Sequence, residues 1–200
     1  SVVAGQTYIL TETKAPSGYE LLEPFSFTVG TDGTIAPSEG SSQVAAGEEG
    51  YVISNDQGGV VTLTAHDKPI EVVLAKTSSA NEQLLLTGAV FELYRGASAA
   101  EGDFVEQVST GTDGKVALEN LVGGTTYTLH EVMAPAGYEL LPDVTFTVET
   151  DGTVTLSENA PAGYTVTEGE DGVVTFTAAD TPIEAQLVKT CLLYTSPSPR

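Results

Sequence analysis

Hydrophobic and polar residues alternate with a period of two along most of the chain. Successive side chains of a β-strand point to opposite faces of its sheet, so this alternation predicts strands that are buried on one face. Val, Thr, Tyr and Phe, which favour strands, are enriched in the alternating segments. The sequence shows no sustained helical period. We therefore predict an all-β fold.

Asp-Gly pairs lie between the alternating segments, at 32–33, 113–114, 151–152 and 171–172. Glycine adopts a positive φ at little cost, so Asp-Gly favours the tight turn of a hairpin. A calcium-binding loop is the alternative interpretation, but the acidic spacing of an EF-hand loop is absent. Short strands joined by such turns are typical of tandem Ig-like β-sandwich domains, here of roughly 110 residues each.

Two blocks of sequence occur twice in the chain. Residues 8–22 return as 127–141, and residues 60–71 return as 173–184. A long period of this kind predicts tandem copies of one folded unit. The first copy has a longer segment between its two blocks, residues 35–59, rich in Gly, Ser, Ala and Glu. We interpret this segment as a surface loop.

The repeat predicts the division of the chain into domains. Residues 1–68 form a truncated domain that lacks its first strands, residues 69–181 a complete domain, and residues 182–190 the start of a third. The tail at 191–200 resembles the translated read-through of a sequencing adapter, so we interpret it as an artefact. It contains Cys191, the single cysteine of the chain. The remaining sequence must gain rigidity without disulfides.

Three ionisable residues continue apolar stripes that should face the core. The stripes are Ile70, Val72, Leu74 and Lys76; Tyr127, Leu129, Glu131 and Met133; and Val174, Phe176, Ala178 and Asp180. A charged group in a core is costly unless it is paired, and one amine with two carboxyl groups can satisfy one another if they meet. The matching positions elsewhere are Glu12 and Asp67 in the truncated copy and Lys189 in the third, each without a full set of partners.

Burial of these three groups together would also prepare a reaction. Removal from water favours the neutral forms of amines and carboxyl groups. The Lys76 amine can then attack the Asp180 carboxyl, while Glu131 polarises the carbonyl and relays protons. Fixed proximity supplies effective molarities of about 10⁵ M or more, so no cofactor is required. A buried ion-paired cluster, or strand-end side chains that reach solvent, are the alternatives that spacing alone leaves open.

The acidic composition of the chain limits the partners that it is expected to bind. The chain has 28 acidic and 7 basic residues, for a formal net charge of −21. Nucleic acid and anionic membranes are disfavoured as partners, because binding phosphates requires clustered Lys and Arg. No apolar run reaches the length of a membrane span, and no signal peptide precedes the first repeat, so we interpret the chain as a piece of a longer protein. His66 and His130 are isolated, so we expect no metal site.

Residues 127–138 carry the pattern Tyr-x-Leu-x-Glu-x-x-Ala-Pro-x-Gly-Tyr. This pattern resembles the SpaA-like, or collagen-adhesin B-type, prealbumin-like domain of Gram-positive surface proteins and pilins. The resemblance extends over essentially all of residues 1–190. Four further segments of the complete copy fit the family, namely 73–76, 86–94, 112–116 and 121–127.

The resemblance implies roles for the three inward residues. In that family a lysine of the first strand is joined to an Asn or Asp of the last strand by an isopeptide bond, and a glutamate promotes the reaction. This implies Lys76 as nucleophile, Asp180 as acceptor and Glu131 as promoting residue, with bonding in the complete domain only. Most members use Asn as acceptor, so the Asp of this chain would release water in place of ammonia.

The resemblance also implies a function and a location. We expect a structural stalk or adhesin repeat of a cell-wall-anchored surface protein or pilin, which cross-links itself and is not an enzyme for external substrates. Its expected partners are neighbouring repeats of the same chain, with host extracellular matrix, glycans and sortase-linked wall or pilus as further candidates. A ligand-binding or glycan-binding module and an accessory domain of a secreted enzyme are the alternatives.

Overall fold

The computed structural model describes most of the chain. Within the described residues there are fifteen β-strands and no helix, and thus none that is long and apolar enough to cross a bilayer. The all-β prediction is confirmed. The adapter-like tail at 191–200 and the aspartate of the 171–172 turn fall outside the described residues. The described ranges are 2–55, 60–100, 103–170 and 172–189.

The first five strands belong to the first copy of the repeat. They are β1 (Thr7–Leu10), β2 (Phe25–Val29), β3 (Ile35–Pro37), β4 (Gly50–Asn55) and β5 (Val61–His66). β1, β2 and β3 form one antiparallel sheet in that order, and β4 pairs with β5. One apolar cluster joins the two sheets, and in it the rings of Phe25 and Tyr51 stack with their centroids 4.9 Å apart.

The segment 35–59 is not a loop throughout, so that prediction is wrong. It contains β3 and β4, while its residues 56–59 fall outside the described part of the chain. The polar composition of this segment hides a short alternation, in which Tyr51 is buried and Ile53 packs against the same cluster. Pairing with β5 satisfies the backbone groups of β4, and this tertiary contact cannot be read from composition.

The remaining ten strands form two five-stranded sheets. One sheet has the order β10-β6-β15-β14 with β7 also paired to β6, and the other has the order β13-β12-β11-β8-β9. The strands are β6 (Val72–Ser78), β7 (Asn81–Leu85), β8 (Val90–Arg95), β9 (Asp103–Ser109), β10 (Lys115–Leu118), β11 (Thr125–Met133), β12 (Val144–Val148), β13 (Val154–Leu156), β14 (Tyr164–Glu168) and β15 (Val174–Asp180).

The inner faces of these two sheets share one core. Alternate residues of β12 and β15 are buried, as the period-two pattern predicts. Phe146 of β12 and Phe176 of β15 meet across the interface with ring centroids 5.1 Å apart. Two sheets packed face to face over such a core make a β-sandwich, which confirms the predicted fold class.

The hairpin between β12 and β13 shows how an Asp-Gly pair makes its turn. Gly152 has a φ of +80°, a conformation that other residues adopt only with strain. The Asp151 carboxylate accepts hydrogen bonds from the Thr153 backbone N–H at 3.1 Å and from its hydroxyl at 2.7 Å. These hydrogen bonds lower the pKa of Asp151. The carboxylate is therefore used within the turn, as the hairpin interpretation requires.

The first and last strands of the complete copy lie side by side. β6 and β15 run parallel, with Lys76 opposite Ala178 and Ser78 opposite Asp180. Lys76 and Asp180 both point into the core, where each is fully buried. The long lysine side chain only has to reach two residues along the neighbouring strand, so this register is what brings amine and carboxyl together.

Candidate functional site

Lys76 lies in the middle of the hydrophobic core. It is fully buried on β6, in the stripe that also contains Val72 and Leu74. Its Nζ lies 5.0 Å from the centroid of the Phe91 ring, whose face attracts a cation. The amine is fully removed from the protein surface, so the side chains around it determine its reactivity.

The amine meets both predicted carboxyl groups. Lys76 Nζ donates a hydrogen bond to Asp180 Oδ1 and lies 2.8 Å from Glu131 Oε1. The second contact is within ion-pair distance but lacks the alignment of a hydrogen bond. All three side chains are fully buried. The alternative in which strand-end side chains reach solvent is therefore excluded, and a buried ionic cluster and a cross-link site remain.

The backbone holds Glu131 in place from the other side. Its Oε2 accepts a hydrogen bond from the Leu141 N–H at 2.8 Å, which leaves Oε1 directed at the amine. A bulge follows Glu131 on β11 and shifts the pairing with β8. For that reason Met133, predicted to share the inward face, is 52 % exposed, and this prediction is wrong. Glu131 is the last inward residue of its stripe.

The Asp180 carboxyl is held nearer to neutrality than an ordinary aspartate. Burial raises the pKa of Asp180 to about 6, against the opposing effect of the hydrogen bond and charge of Lys76, while the charge of Glu131 raises it further. Asp180 Oδ2 has no hydrogen-bond partner within the described residues. A carboxyl group that is buried and only half satisfied favours its protonated form.

Two aromatic residues complete the site, and neither was identified from the sequence. Phe91 lies beneath the amine. Tyr164 is buried and donates its hydroxyl hydrogen bond to the Pro142 carbonyl at 2.9 Å. Burial, followed by the charges of Glu131 and Asp180, raises the pKa of Tyr164. A signal was present for Tyr164, since a Gly-Tyr pair occurs at the matching position of the first copy, 50–51.

The first copy repeats the carboxyl half of this site. Glu12 Oε2 accepts the Leu22 N–H at 2.8 Å, which is the hydrogen bond that Glu131 makes in the complete copy. Burial, followed by the charge of Glu12, raises the pKa of Asp67. Within the described residues neither carboxylate forms an ion pair with a lysine. Lys189 is exposed.

The two histidines lie apart from the site. His130 is partly exposed on β11, and its Nδ1 lies 2.6 Å from Asp143 Oδ1. His66 is half-buried at the end of β5. Over the described ranges, no group of three His, Cys, Asp or Glu side chains could hold a metal ion.

The two facing sheets and their shared core define an all-β sandwich of the prealbumin-like class. The family model described as "SpaA: Prealbumin-like fold domain" matches residues 1–40 and 70–160, which is more than half of the chain. The chain therefore belongs to the SpaA prealbumin-like fold domain family, and the resemblance drawn from its sequence is confirmed. No curated protein matches the chain.

Among solved structures, the chain is similar to pilus proteins of several bacteria. It is 24% identical to a C-terminal fragment of the pilus adhesin SpaC from Lactobacillus rhamnosus GG, with a TM-score of 0.47, covering 94% of this chain and 81% of that one. An open conformation of SpaC gives 25% identity and a TM-score of 0.48, covering 93% of this chain and 26% of that one. Domains D2 and D3 of the major pilin SpaD from Corynebacterium diphtheriae give 20% identity and a TM-score of 0.38, covering 88% and 82%.

Proposed function

We propose that this chain is a stalk or adhesin segment of a Gram-positive surface protein or pilin, whose repeat at 69–181 closes itself with an isopeptide bond between Lys76 and Asp180. The observation that carries the proposal is the buried contact of one amine with two carboxyl groups. Membership of the SpaA family supports the part of the proposal that places the protein on the surface of a Gram-positive bacterium. Self-cross-linking is the only chemistry that we assign to the chain.

The proposed reaction needs no reagent beyond the three side chains. Lys76 Nζ attacks Cγ of Asp180, so an N–C bond forms and one C–O bond of the carboxyl group breaks. Glu131 takes a proton from the nitrogen and delivers it to the departing oxygen, which leaves as water. Nitrogen, carbon and oxygen keep their oxidation states, so no oxidant or reductant is involved. The amine already touches the carboxyl, which is the proximity that makes the step feasible.

The proposed bond would protect the repeat from mechanical unfolding. It would join the first strand of the sandwich, β6, to the last, β15, which are neighbours in one sheet. Tension applied at the two ends of the repeat would then pass along the bond, and the rest of the sandwich would carry little load. This is the property that a stalk requires, and the tandem division into 1–68, 69–181 and 182–190 would repeat it along a longer protein.

The mass of the intact chain tests the proposal directly. We expect the purified chain, measured under denaturing conditions, to weigh one water less than its sequence requires. Proteolysis should release a branched peptide that contains both Lys76 and Asp180, because the amide joins two segments far apart in sequence. A chain of full mass would reject the bond and leave the three residues as a buried ion-paired cluster.

The rate of bond formation should decrease as the pH decreases. The reactive state, a neutral amine facing a neutral acid, carries as many protons as the ion pair. Below about pH 6 Asp180, whose pKa is raised to about 6, takes up a further proton, and the site then holds one proton more than the reactive state. We expect the rate to fall as the pH is lowered, by up to about tenfold per pH unit.

This pH dependence can be measured on chain that has not yet reacted. The chain is collected unfolded from inclusion bodies, refolded at a series of pH values from 4.5 to 8, and quenched in denaturant. The loss of water is then followed by mass spectrometry against time. A rate that is constant across the series, or that rises as the pH falls, would contradict the assignment of Asp180 as the acceptor.

A further inference from the structure

One loop of the first copy contacts the complete copy. In this loop, residues 15–22, the Gly18 N–H donates to the Leu121 carbonyl at 2.6 Å and the Leu21 N–H donates to the Thr150 carbonyl at 2.9 Å. We name residues 15–22 the trailing loop of the first copy. Its acceptors belong to the β10–β11 and β12–β13 connections at one end of the complete sandwich. The two copies are therefore joined by backbone hydrogen bonds as well as by the chain itself.

The trailing loop also holds the linker between the two copies. The Glu20 N–H donates to the Lys68 carbonyl at 2.8 Å, and the Ile70 N–H donates to the Gly18 carbonyl at 2.8 Å. The Glu20 carboxylate forms an ion pair of 2.8 Å with Lys68 Nζ. The linker is therefore fixed to the loop on both sides of Pro69, and little freedom remains at the junction.

The complete copy has the same loop at 134–141. The Glu139 N–H donates to the Thr181 carbonyl at 3.0 Å, and the Ile183 N–H donates to the Gly137 carbonyl at 2.8 Å. These two hydrogen bonds repeat, position for position, the two that hold the first linker. The loop at 134–141 therefore has the same hydrogen-bonded conformation as the loop at 15–22 in the first junction.

Two donors of this second loop are unused. The N–H groups of Gly137 and Leu140, which match those of Gly18 and Leu21, have no acceptor within the described residues. The Leu140 side chain is 57 % exposed. In the first junction, this face of the loop contacts the copy that follows. In the loop at 134–141, the same face is open to solvent.

We propose that the loop at 134–141 is the docking surface for a further copy of the same repeat, placed after Thr181. Gly137 and Leu140 would donate to the two carbonyls of that copy that correspond to those of Leu121 and Thr150. A further copy is the expected occupant, because residues 182–189, which follow the loop, match the beginning of the complete repeat. Contacts of this kind join the tail of each copy to the head of the next. The inference rests on the proposed tandem arrangement and does not require the cross-link.

Hydrogen exchange measured by NMR tests the docking. In the 200-residue chain we expect the amides of Gly18 and Leu21 to be protected and those of Gly137 and Leu140 to exchange as exposed amides do. In a chain where a second copy of residues 69–181 follows Thr181, the latter two should slow by about tenfold or more. Equal exchange of Gly137 and Leu140 in both chains would overturn the proposal.

A matched pair of proline variants gives a second test in the 200-residue chain. Leu21→Pro removes the donor to Thr150, so the amide of Gly18 should lose at least part of its protection. Leu140→Pro imposes the same backbone restriction at the matching position but removes no hydrogen bond of the junction, so Gly18 should stay protected. The same exchange rate at Gly18 in both variants would overturn the assigned contact. Intact mass reports the cross-link separately, so the two proposals can fail independently.

Discussion

Lys76→Met is expected to restore the full mass of the chain and to lower the melting temperature of the complete repeat by about 15 °C or more. Methionine is apolar and fills much of the same space, but it has no amine, so no amide can form. The bond would close a loop between residues 104 positions apart. A loop of that size contributes roughly 4–5 kcal/mol in the chain-entropy model. The variant also leaves Asp180 as a free buried carboxyl group beside Glu131, with no amine to pair with either, which adds to the loss.

Lys115→Met is the matched control for this variant. Lys115 belongs to the same repeat but is exposed on β10. We expect this chain to weigh one water less than its sequence requires, as the unaltered chain should, and to melt within about 2 °C of it, because exposed substitutions rarely exceed about 0.5 kcal/mol. Intact-mass analysis and scanning calorimetry measure the two quantities. A water loss that persists in Lys76→Met would show that another lysine forms the bond.

The sequence is sufficient to predict the sandwich and the three inward residues, since both depend on a period of two. The stripe positions of β6 and β15, including Lys76 and Asp180, are buried as predicted, although the second half of β6 is buried on its other face as well. The prediction failed at Met133, because a bulge after Glu131 changes the phase of the strand. A bulge depends on how two strands pair, and the pattern of one strand carries no sign of it. β4 was missed for a related reason, since its partner β5 is what makes it a strand.

The parts of the site that escaped prediction are those that depend on packing between sheets. Phe91 continues an apolar stripe of β8, so its burial is expected, but its position beneath the Lys76 amine depends on how the two sheets face each other. Tyr164 reaches the site from β14, a strand beside β15. Neither residue is near the reactive groups in sequence. Spacing identifies which side chains point inward, and only the assembled sandwich determines which of them meet.

Glu131→Gln is expected to slow formation of the bond by about 10²–10⁴-fold, the usual contribution of a positioned acid or base. Glutamine has nearly the same shape, and its amide oxygen can still accept the Leu141 N–H. It cannot take the proton that the nitrogen must lose, nor does it offer the negative charge that lies 2.8 Å from Nζ. The rate is followed as water loss after refolding of unreacted chain. Formation at the unaltered rate would remove Glu131 from the mechanism.

Glu12→Gln makes the same chemical change in the first copy, where no isopeptide bond is expected to form. Glu12 makes the matching hydrogen bond to the Leu22 N–H, yet within the described residues no lysine pairs with it. A general effect on folding of losing one hydrogen-bonded carboxylate would appear in both variants. An effect on proton transfer would appear only in Glu131→Gln, because only that glutamate touches the amine. We therefore expect Glu12→Gln to lose water at the unaltered rate, and a slowing equal to that of Glu131→Gln would assign both effects to folding.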